Sequence, residues 1–256
     1  MLLAIDIGNT NTVLGVYSGD RLLHHWRIAT LEARTADEVA ITLRQLFELS
    51  GITAPRIAAA IISSVVPAAQ QPTVSAVREH FGTVPVVVGP GVKSGMPILS
   101  ENPKEVGADR IVNAVAAYER FKQGVIAVDF GTATTFDCIS PRGEYLGGAI
   151  CPGITISADA LYHHAAKLPR VDLSAPPRQA VGKNTVTSMQ AGLFFGYVGL
   201  VDGLVERMID ELDFGVRVIA TGGLAALIAR GSRTIEEVDD LLTLTGLRLI
   251  YMRNQP

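Results

Sequence analysis

Two short segments of the chain place an aspartate, a glycine and small polar residues directly after an apolar strand. Turn 1 comprises residues 6–12 (Asp-Ile-Gly-Asn-Thr-Asn-Thr), and turn 2 comprises residues 129–135 (Asp-Phe-Gly-Thr-Ala-Thr-Thr). Glycine permits a tight turn and lets backbone N–H groups approach a ligand. Threonine and asparagine add donors, and an aspartate can hold a cation directly or through water. Two such turns facing each other would hold a polyphosphate and its metal ion, whereas two unrelated hairpins are the alternative interpretation.

A third polar segment, residues 107–110, reads Gly-Ala-Asp-Arg and follows Pro103, which can begin a helix. Its glycine and alanine would let a substrate approach the backbone closely. Asp109 is a candidate general base for a hydroxyl group. Arg110 is a candidate clamp for a carboxylate or phosphate, because its planar guanidinium group binds oxygens in pairs. An ion pair on the surface of a helix is the alternative.

Two further glycine turns follow apolar strands. Residues 221–223 (Thr-Gly-Gly) would let a flat base or a ribose lie against bare backbone, and an ordinary helix start explains the same pattern. Pro152-Gly153 could direct N–H groups at an anion, although a simple turn is the favoured interpretation. The sequence contains neither a phosphate-binding G-x-x-x-x-G-K-[ST] motif, nor G-x-G-x-x-G after a strand, nor a zinc-type spacing of His and Cys.

The elements that must position these turns repeat in the two halves of the chain. In the first half, the patterns predict strands over 2–7, 12–18 and 21–29, a helix over 36–50, a strand over 57–66, a helix over 68–80 and a strand over 84–88. After a helix that begins near Lys104, they predict strands over 124–130, 133–140 and 144–151, helices over 153–165 and 185–212, a strand over 217–220 and a final helix. Two copies of a βββαβα order predict a duplicated α/β fold with a cleft between the copies. The predicted domains are residues 1–117 and 118–256.

Composition narrows the class of protein. The chain has 256 residues, of which 48% are hydrophobic and 18% charged, which suffices for two small domains with cores of their own. A net charge of −3 disfavours nucleic acid as the principal partner. The only cysteines are Cys138 and Cys151, so we expect a reducing, cytoplasmic location. No apolar run reaches the roughly 20 residues that cross a bilayer, so no membrane partner is expected.

With these motifs the chain resembles a type III pantothenate kinase, a family in the superfamily of acetate and sugar kinases, Hsp70 and actin. The resemblance extends over essentially the whole chain. It rests on turns 1 and 2, on residues 107–110, on Pro152-Gly153, on residues 182–185 (Gly-Lys-Asn-Thr) and on residues 221–223. The turns alone indicate only the superfamily, and residues 107–110 make the resemblance specific. It implies duplicated actin-like (ribonuclease H-like) domains, each a mixed sheet with flanking helices and with a cleft between the domains.

The resemblance also implies a reaction and a site. The reaction is the ATP-dependent phosphorylation of the primary hydroxyl of pantothenate, with Mg²⁺, as the first step of coenzyme A biosynthesis. Asp109 would accept the proton, Asp129 would bind K⁺ or NH₄⁺, and Thr185 would reach pantothenate from the partner subunit of a homodimer. The residues expected to contact ATP are Asp6, Ile7, Gly8, Asn9, Thr10, Asn11, Thr12, Val13, Gly131, Thr132, Thr221, Gly222 and Gly223. The residues expected to contact pantothenate are Gly107, Ala108, Asp109, Arg110 and Thr185.

The chain departs from the family pattern at Ser100. Many members of the family carry a tyrosine that borders pantothenate at this position, so the resemblance does not extend to that contact. An acetate- or sugar-type kinase on the same fold, or a nucleotide-switched module without catalysis, would share the two turns. Apolar residues spaced by three and four along 185–212, together with Gly192, Gly196 and Gly199, predict that one side of this helix packs in its own domain and the rest forms a two-fold interface.

Overall fold

The computed structural model describes residues 1–52 and 56–255, and the chain divides into two compact units. Unit 1 consists of Met1–Met96, Glu101–Ala116 and Leu242–Pro256, and unit 2 consists of Pro97–Ser100 and Ala117–Leu241. Each unit contains a five-stranded mixed sheet with flanking helices. The predicted duplicated α/β fold is therefore confirmed.

Ten strands and seven α-helices form within the described residues. The strands are β1 (Leu2–Ile7), β2 (Asn11–Ser18), β3 (Arg21–Ala29), β4 (Ala59–Ser64), β5 (Val86–Val87), β6 (Gly124–Phe130), β7 (Ala133–Ile139), β8 (Tyr145–Pro152), β9 (Val216–Gly222) and β10 (Glu237–Val238). The helices are α1 (Ala36–Leu49), α2 (Pro67–Phe81), α3 (Ala108–Phe121), α4 (Ile154–His164), α5 (Thr185–Glu211), α6 (Ala225–Ile228) and α7 (Leu242–Arg253).

The two sheets share one topology. Unit 1 has the strand order β3-β2-β1-β4-β5, and unit 2 has the corresponding order β8-β7-β6-β9-β10. In each, the first three strands form an antiparallel meander and the last two run parallel to the first. Strands β1 and β6 lie at the centre, which explains why their sequences are almost continuously apolar. The same edge of each sheet therefore carries an Asp-x-Gly turn at the end of its central strand.

Helix termini and cores account for the local structure in both units. Helix α1 begins with a capping box, in which the Thr35 N–H donates to the Glu38 carboxylate at 2.8 Å and the Glu38 N–H donates to Thr35 Oγ1 at 3.3 Å. Helix α5 buries Leu193, Tyr197 and Val201 in the core of unit 2.

Among residues 1–52 and 56–255, helix α5 is the one helix that is long and apolar enough to cross a membrane, by length and composition only. With 44% of its most apolar window buried in the protein, this is weak evidence for a membrane span.

The C-terminal residues depart from the predicted division at 117/118. Helix α7, which the sequence pattern did not indicate, packs on β1, β2 and β4 and so belongs to unit 1. Its Gly246 makes this possible, because a Cβ there would lie 2.1 Å from the Val112 carbonyl oxygen of α3. A second difference concerns α3 itself. Pro103–Glu105 form a separate 3₁₀ turn, and the α-helix begins only at Ala108.

Candidate active site

Turn 1 connects β1 to β2 and presents its middle residues to solvent. The Gly8 N–H donates to the Asn11 carbonyl oxygen at 3.0 Å, and a Cβ on Gly8 would lie 3.0 Å from that same oxygen. A side chain at this position would therefore crowd the closed turn. Asn9 and Thr10 are exposed, and Asp6 is half-buried at the end of β1. The turn therefore offers amide and hydroxyl groups together with a nearby carboxylate, as the sequence predicts.

Turn 2 is built in the same way, but the loop between its paired strand residues is one residue shorter. The Gly131 N–H donates to the Ala133 carbonyl oxygen at 3.0 Å. Phe130 pairs with Thr134 across the turn, whereas in turn 1 Ile7 pairs with Thr12. Because the two turns occupy equivalent places in equivalent sheets, they can supply equivalent donors to an anionic ligand.

The carboxylate of Asp129 lies over a glycine of the neighbouring strand. Asp129 is paired in register with Thr221 of β9, and its Oδ1 lies 2.5 Å from where a Cβ of Gly222 would stand. Gly222 also has a φ of +94°, which favours glycine. Thr221 is buried and Gly223 is exposed, so residues 221–223 combine a seat for the carboxylate with an accessible stretch of backbone.

Asp129 does not belong to a cluster of metal-ligating side chains in the part of the chain that the structure describes. No group of three or more His, Cys, Asp or Glu residues that could hold a metal ion occurs within the described residues. Carboxylate and backbone oxygens are nevertheless the ligands that hard cations prefer. The half-buried carboxylate of Asp129 is a ligand of the oxygen type that such cations take.

Asp109 lies in the first turn of α3 with its carboxylate folded back over Gly107. Its Oδ1 accepts the Arg110 N–H at 2.8 Å and lies 2.5 Å from where a Cβ of Gly107 would stand. Burial raises the pKa of Asp109, and the Arg110 N–H and charge offset only part of that effect. A carboxylate with a raised pKa is a stronger proton acceptor, so the environment suits a general base.

Thr185 is the first residue of α5 and is exposed at the edge of a surface depression. Asn184 caps the helix, since its side chain accepts the Thr187 N–H at 2.9 Å. The depression is lined by Leu161, Leu168, Thr185, Ser188, Met189, Gly192 and Leu193, from α4, α5 and the segment between them. Thr185 is therefore accessible from solvent at this surface of unit 2.

Comparison with known proteins identifies the family to which the chain belongs. A profile of the type III pantothenate kinases matches residues 2–207. The chain belongs to the type III pantothenate kinase family. It is 61% identical over 255 residues to the type III pantothenate kinase of Anaeromyxobacter sp. (strain Fw109-5), with 100% of both chains covered. It is 60% identical over 254 residues to that of Myxococcus xanthus (strain DK1622), with 99% of both covered.

The fold comparison agrees with the sequence comparison. The structure of the ROK hexokinase from Thermus thermophilus is similar with a TM-score of 0.52 at 17% identity, covering 99% of both chains. At that identity the likeness concerns the fold alone, and it supports the duplicated actin-like architecture expected for a type III pantothenate kinase.

Ser100 stands where the resemblance led us to expect a tyrosine. Its Oγ is buried and has no hydrogen-bond partner among the described residues. A buried hydroxyl without a partner is unfavourable by itself.

One residue of the site was not indicated by the sequence. Thr30, at the end of β3, donates its hydroxyl to the Gly8 carbonyl oxygen of turn 1 at 2.7 Å. It lies far from turn 1 along the chain, and no motif contains it. One signal could have identified Thr30. It directly follows β3, and in a three-strand meander the end of the third strand lies at the same edge as turn 1.

Proposed function

We propose that this chain transfers the terminal phosphoryl group of ATP to the primary hydroxyl of pantothenate, giving 4'-phosphopantothenate, with Asp109 as the general base. Membership of the type III pantothenate kinase family supports the reaction. One observation supports the role of Asp109. Its carboxylate, in the Gly-Ala-Asp-Arg motif at the start of α3, has a raised pKa.

The residues act by positioning and by taking up one proton. The pantothenate hydroxyl oxygen forms a bond to the γ-phosphorus while the bond from that phosphorus to the bridging oxygen of ADP breaks. The hydroxyl proton passes to a carboxylate oxygen of Asp109. Arg110 binds the pantothenate carboxylate through its guanidinium group, and Gly107 leaves the space in which the Asp109 carboxylate stands. Mg²⁺, when bound, neutralises phosphate charge.

ATP contacts residues 6–13, Gly131, Thr132 and residues 221–223 in this proposal. The exposure of Asn9 and Thr10 supports this role. The backbone hydrogen bonds that close each turn at its glycine support it as well. The bare backbone at Gly223 suits a planar base or ribose, for which a side chain would be an obstacle.

A monovalent cation, K⁺ or NH₄⁺, binds at Asp129. Support comes from the place of its carboxylate at the end of β6, over Gly222 and beside turn 2. Rates in buffers that contain only potassium or only sodium, at equal ionic strength, test this proposal. We expect sodium to substitute poorly because the smaller ion suits fewer and closer oxygens. Equal rates would contradict a specific site.

The enzyme functions as a cytoplasmic homodimer, with Thr185 contributing to the pantothenate site of the partner subunit. The face of α5 that unit 2 leaves uncovered supports this. Gly192, Gly196 and Gly199 each have open space where a Cβ would stand, and Phe195 is exposed beside them. Most of the apolar residues spaced by three and four along α5 lie in the core of unit 2. The interface would therefore use the side of α5 that carries the three glycines.

Mixed dimers test the shared site directly. Chains that carry Asp109→Asn are combined with chains that carry Thr185→Val, and subunit exchange is verified. A shared site predicts partial recovery of activity, because one of the two sites in the mixed dimer lacks both lesions. Absence of recovery after exchange would mean that Thr185 serves its own chain.

The reaction itself is tested by coupled ADP release with a panel of acceptors. We expect turnover with pantothenate and none with acetate or simple sugars. Turnover only with a sugar or an acid would instead indicate another kinase on this fold. ATP hydrolysis that is independent of pantothenate would indicate a nucleotide-switched module.

A further inference from the structure

Thr30 holds two carbonyl groups of turn 1 at once. Its Oγ1 donates to the Gly8 carbonyl oxygen at 2.7 Å, and its backbone N–H donates to the Thr10 carbonyl oxygen at 3.0 Å. Both contacts join the end of β3 to the middle of turn 1. Thus one side chain and one backbone amide from a distant strand fix the direction of two peptide groups in the turn.

A second hydroxyl extends this contact into a chain. Thr12 Oγ1 lies 2.9 Å from Thr30 Oγ1. Because a carbonyl oxygen can only accept, the single hydroxyl proton of Thr30 is used on Gly8. The proton between the two threonines therefore comes from Thr12, and the direction of donation is Thr12 to Thr30 to Gly8. The Thr12 proton consequently supports the turn from inside and is not directed at a phosphate.

Fixing these carbonyl groups fixes the neighbouring amides. The described residues contain no cis peptide bond, so the C=O of one residue and the N–H of the next point in opposite directions within each planar group. Anchoring the Gly8 and Thr10 oxygens to Thr30 thereby turns the N–H groups of Asn9 and Asn11 away from it. A turn whose amides are already oriented loses less entropy when it binds an anion.

Unit 2 provides an internal comparison. The equivalent of Thr30 is Gly153, whose N–H donates to the Thr132 carbonyl oxygen at 3.0 Å. A Cβ on Gly153 would lie 2.2 Å from that oxygen and 2.6 Å from the Gly131 oxygen, so no side chain fits there. Thr134, the equivalent of Thr12, has a buried Oγ1 without a hydrogen-bond partner among the described residues. The duplicated fold therefore does not itself require a hydroxyl at this position.

We propose that Thr30 is a positioning residue for ATP, which orients turn 1 towards the phosphates through the Gly8 and Thr10 carbonyl groups, with Thr12 as its hydrogen-bond donor. This inference rests on the proposed function only in requiring that turn 1 binds the phosphates of ATP.

The test compares Thr30→Val with Thr30→Ser in the full chain. Valine keeps the branched shape and the backbone N–H but removes the hydroxyl, whereas serine keeps the hydroxyl. We expect the Kd for ATP by calorimetry and the KM for ATP to rise about fivefold to tenfold in Thr30→Val, as for loss of one buried hydrogen bond. The KM for pantothenate stays within twofold of the parent, and Thr30→Ser stays within about twofold for both ligands. Thr12→Val gives a smaller rise for ATP, since the Thr30 to Gly8 bond survives.

Thr73→Val is the matched control. Thr73 is buried in unit 1, and its Oγ1 donates to the Ala69 carbonyl oxygen at 2.8 Å within α2. Thr73 lines the same cavity as Thr12 and Thr30, but the hydrogen bond that Thr73→Val removes is made to α2 and not to turn 1. We therefore expect lower stability with unchanged affinity for ATP. If Thr30→Val behaves like Thr73→Val, the role is structural and the proposal fails. If the parent binds ATP and Thr30→Val weakens that binding, the inference holds even where pantothenate proves not to be the acceptor.

Discussion

Asp109 and Asp202 are aspartates on helices with opposite shifts of pKa. Burial raises the pKa of Asp109, whose Oδ1 accepts the Arg110 N–H. Asp202, in the middle of α5, is only 4% exposed, and desolvation acts in the same direction there. Hydrogen bonds from Ser232, Arg233 and Thr234 nevertheless lower the pKa of Asp202 overall. Burial alone therefore does not decide which form of a carboxylate is favoured.

The number of donors separates the two aspartates. Asp202 accepts the Ser232 hydroxyl at 2.6 Å, the Thr234 hydroxyl at 2.9 Å and the backbone N–H groups of Arg233 and Thr234. Its charge is thus well solvated by the protein, and the residue holds segment 232–234 against α5. Asp109 has its charge less well compensated and remains ready to accept a proton. The comparison agrees with the proposed role of Asp109 as a base and predicts a role in stability for Asp202.

Replacing Asp109, the proposed base, should have the largest effect on activity. We expect Asp109→Asn to lower kcat by about 10²–10⁴-fold, as removal of a general base does, while the protein remains folded. Steady-state kinetics with pantothenate and thermal unfolding measure both. Activity within threefold of the parent would remove Asp109 from the mechanism. Loss of stability instead of activity would make it resemble Asp202.

Moving the Asp109 carboxylate without removing it should have the second-largest effect on activity. In Gly107→Ala the new methyl group would stand 2.5 Å from Asp109 Oδ1, so the carboxylate must move. We expect kcat to fall on the order of 10²-fold, because small misplacements of reacting groups are costly. Gly89→Ala is the control, since it has open space at that point and no left-handed backbone. Equal kinetics for the two variants would mean that the place of the Asp109 carboxylate is not critical.

Asp202→Asn should affect stability. The amide group would replace an acceptor by a donor facing other donors, so we expect a loss of about 1–3 kcal/mol in the free energy of unfolding. Urea denaturation of the purified protein measures this. Asp210→Asn, an exposed position on the same helix, should change stability by less than about 0.5 kcal/mol. Similar values for both variants would show that the contacts to segment 232–234 contribute little.

The two aspartates should also respond differently to acid, and this is the smallest effect. Activity should fall on the acid side through the raised pKa of Asp109, because the base must be ionised. In stability, the native state holds the Asp109 proton more tightly, so this contribution declines as pH rises through the raised pKa. The contribution of Asp202 is complete above its unfolded pKa of about 3.9 and is lost as pH falls through the lower native value.

Two sets of measurements check this difference. Measuring kcat against pH shows where activity falls on the acid side. Gly107→Ala should shift that pH if it changes the environment of the Asp109 carboxylate. Urea denaturation against pH should show that the stability difference between the parent and Asp202→Asn shrinks at low pH. A difference that does not vary with pH would contradict a lowered pKa at Asp202.

Much of the molecule follows from local patterns. Alternation and apolar runs predicted β1 to β4 and the meander of unit 2, and the Thr35 capping signal predicted the start of α1. Glycine between strand and hydroxyl residues predicted both turns. The Gly-Ala-Asp-Arg motif selected Asp109 before any environment was known. These features depend on residues a few positions apart, for which backbone sterics and hydrogen-bonding preferences are decisive.

Other features depend on residues that meet only in the folded chain. Helix α7 joins unit 1 because Gly246 fits against α3, and Thr30 reaches turn 1 because β3 ends beside it. The opposite pKa shifts of Asp109 and Asp202 arise from burial and from donors supplied by other segments. Sequence alone thus determined the chemical types available and most local structure. The tertiary structure decided which aspartate has a lowered pKa and which has a raised one, because desolvation and hydrogen bonding depend on distance in space.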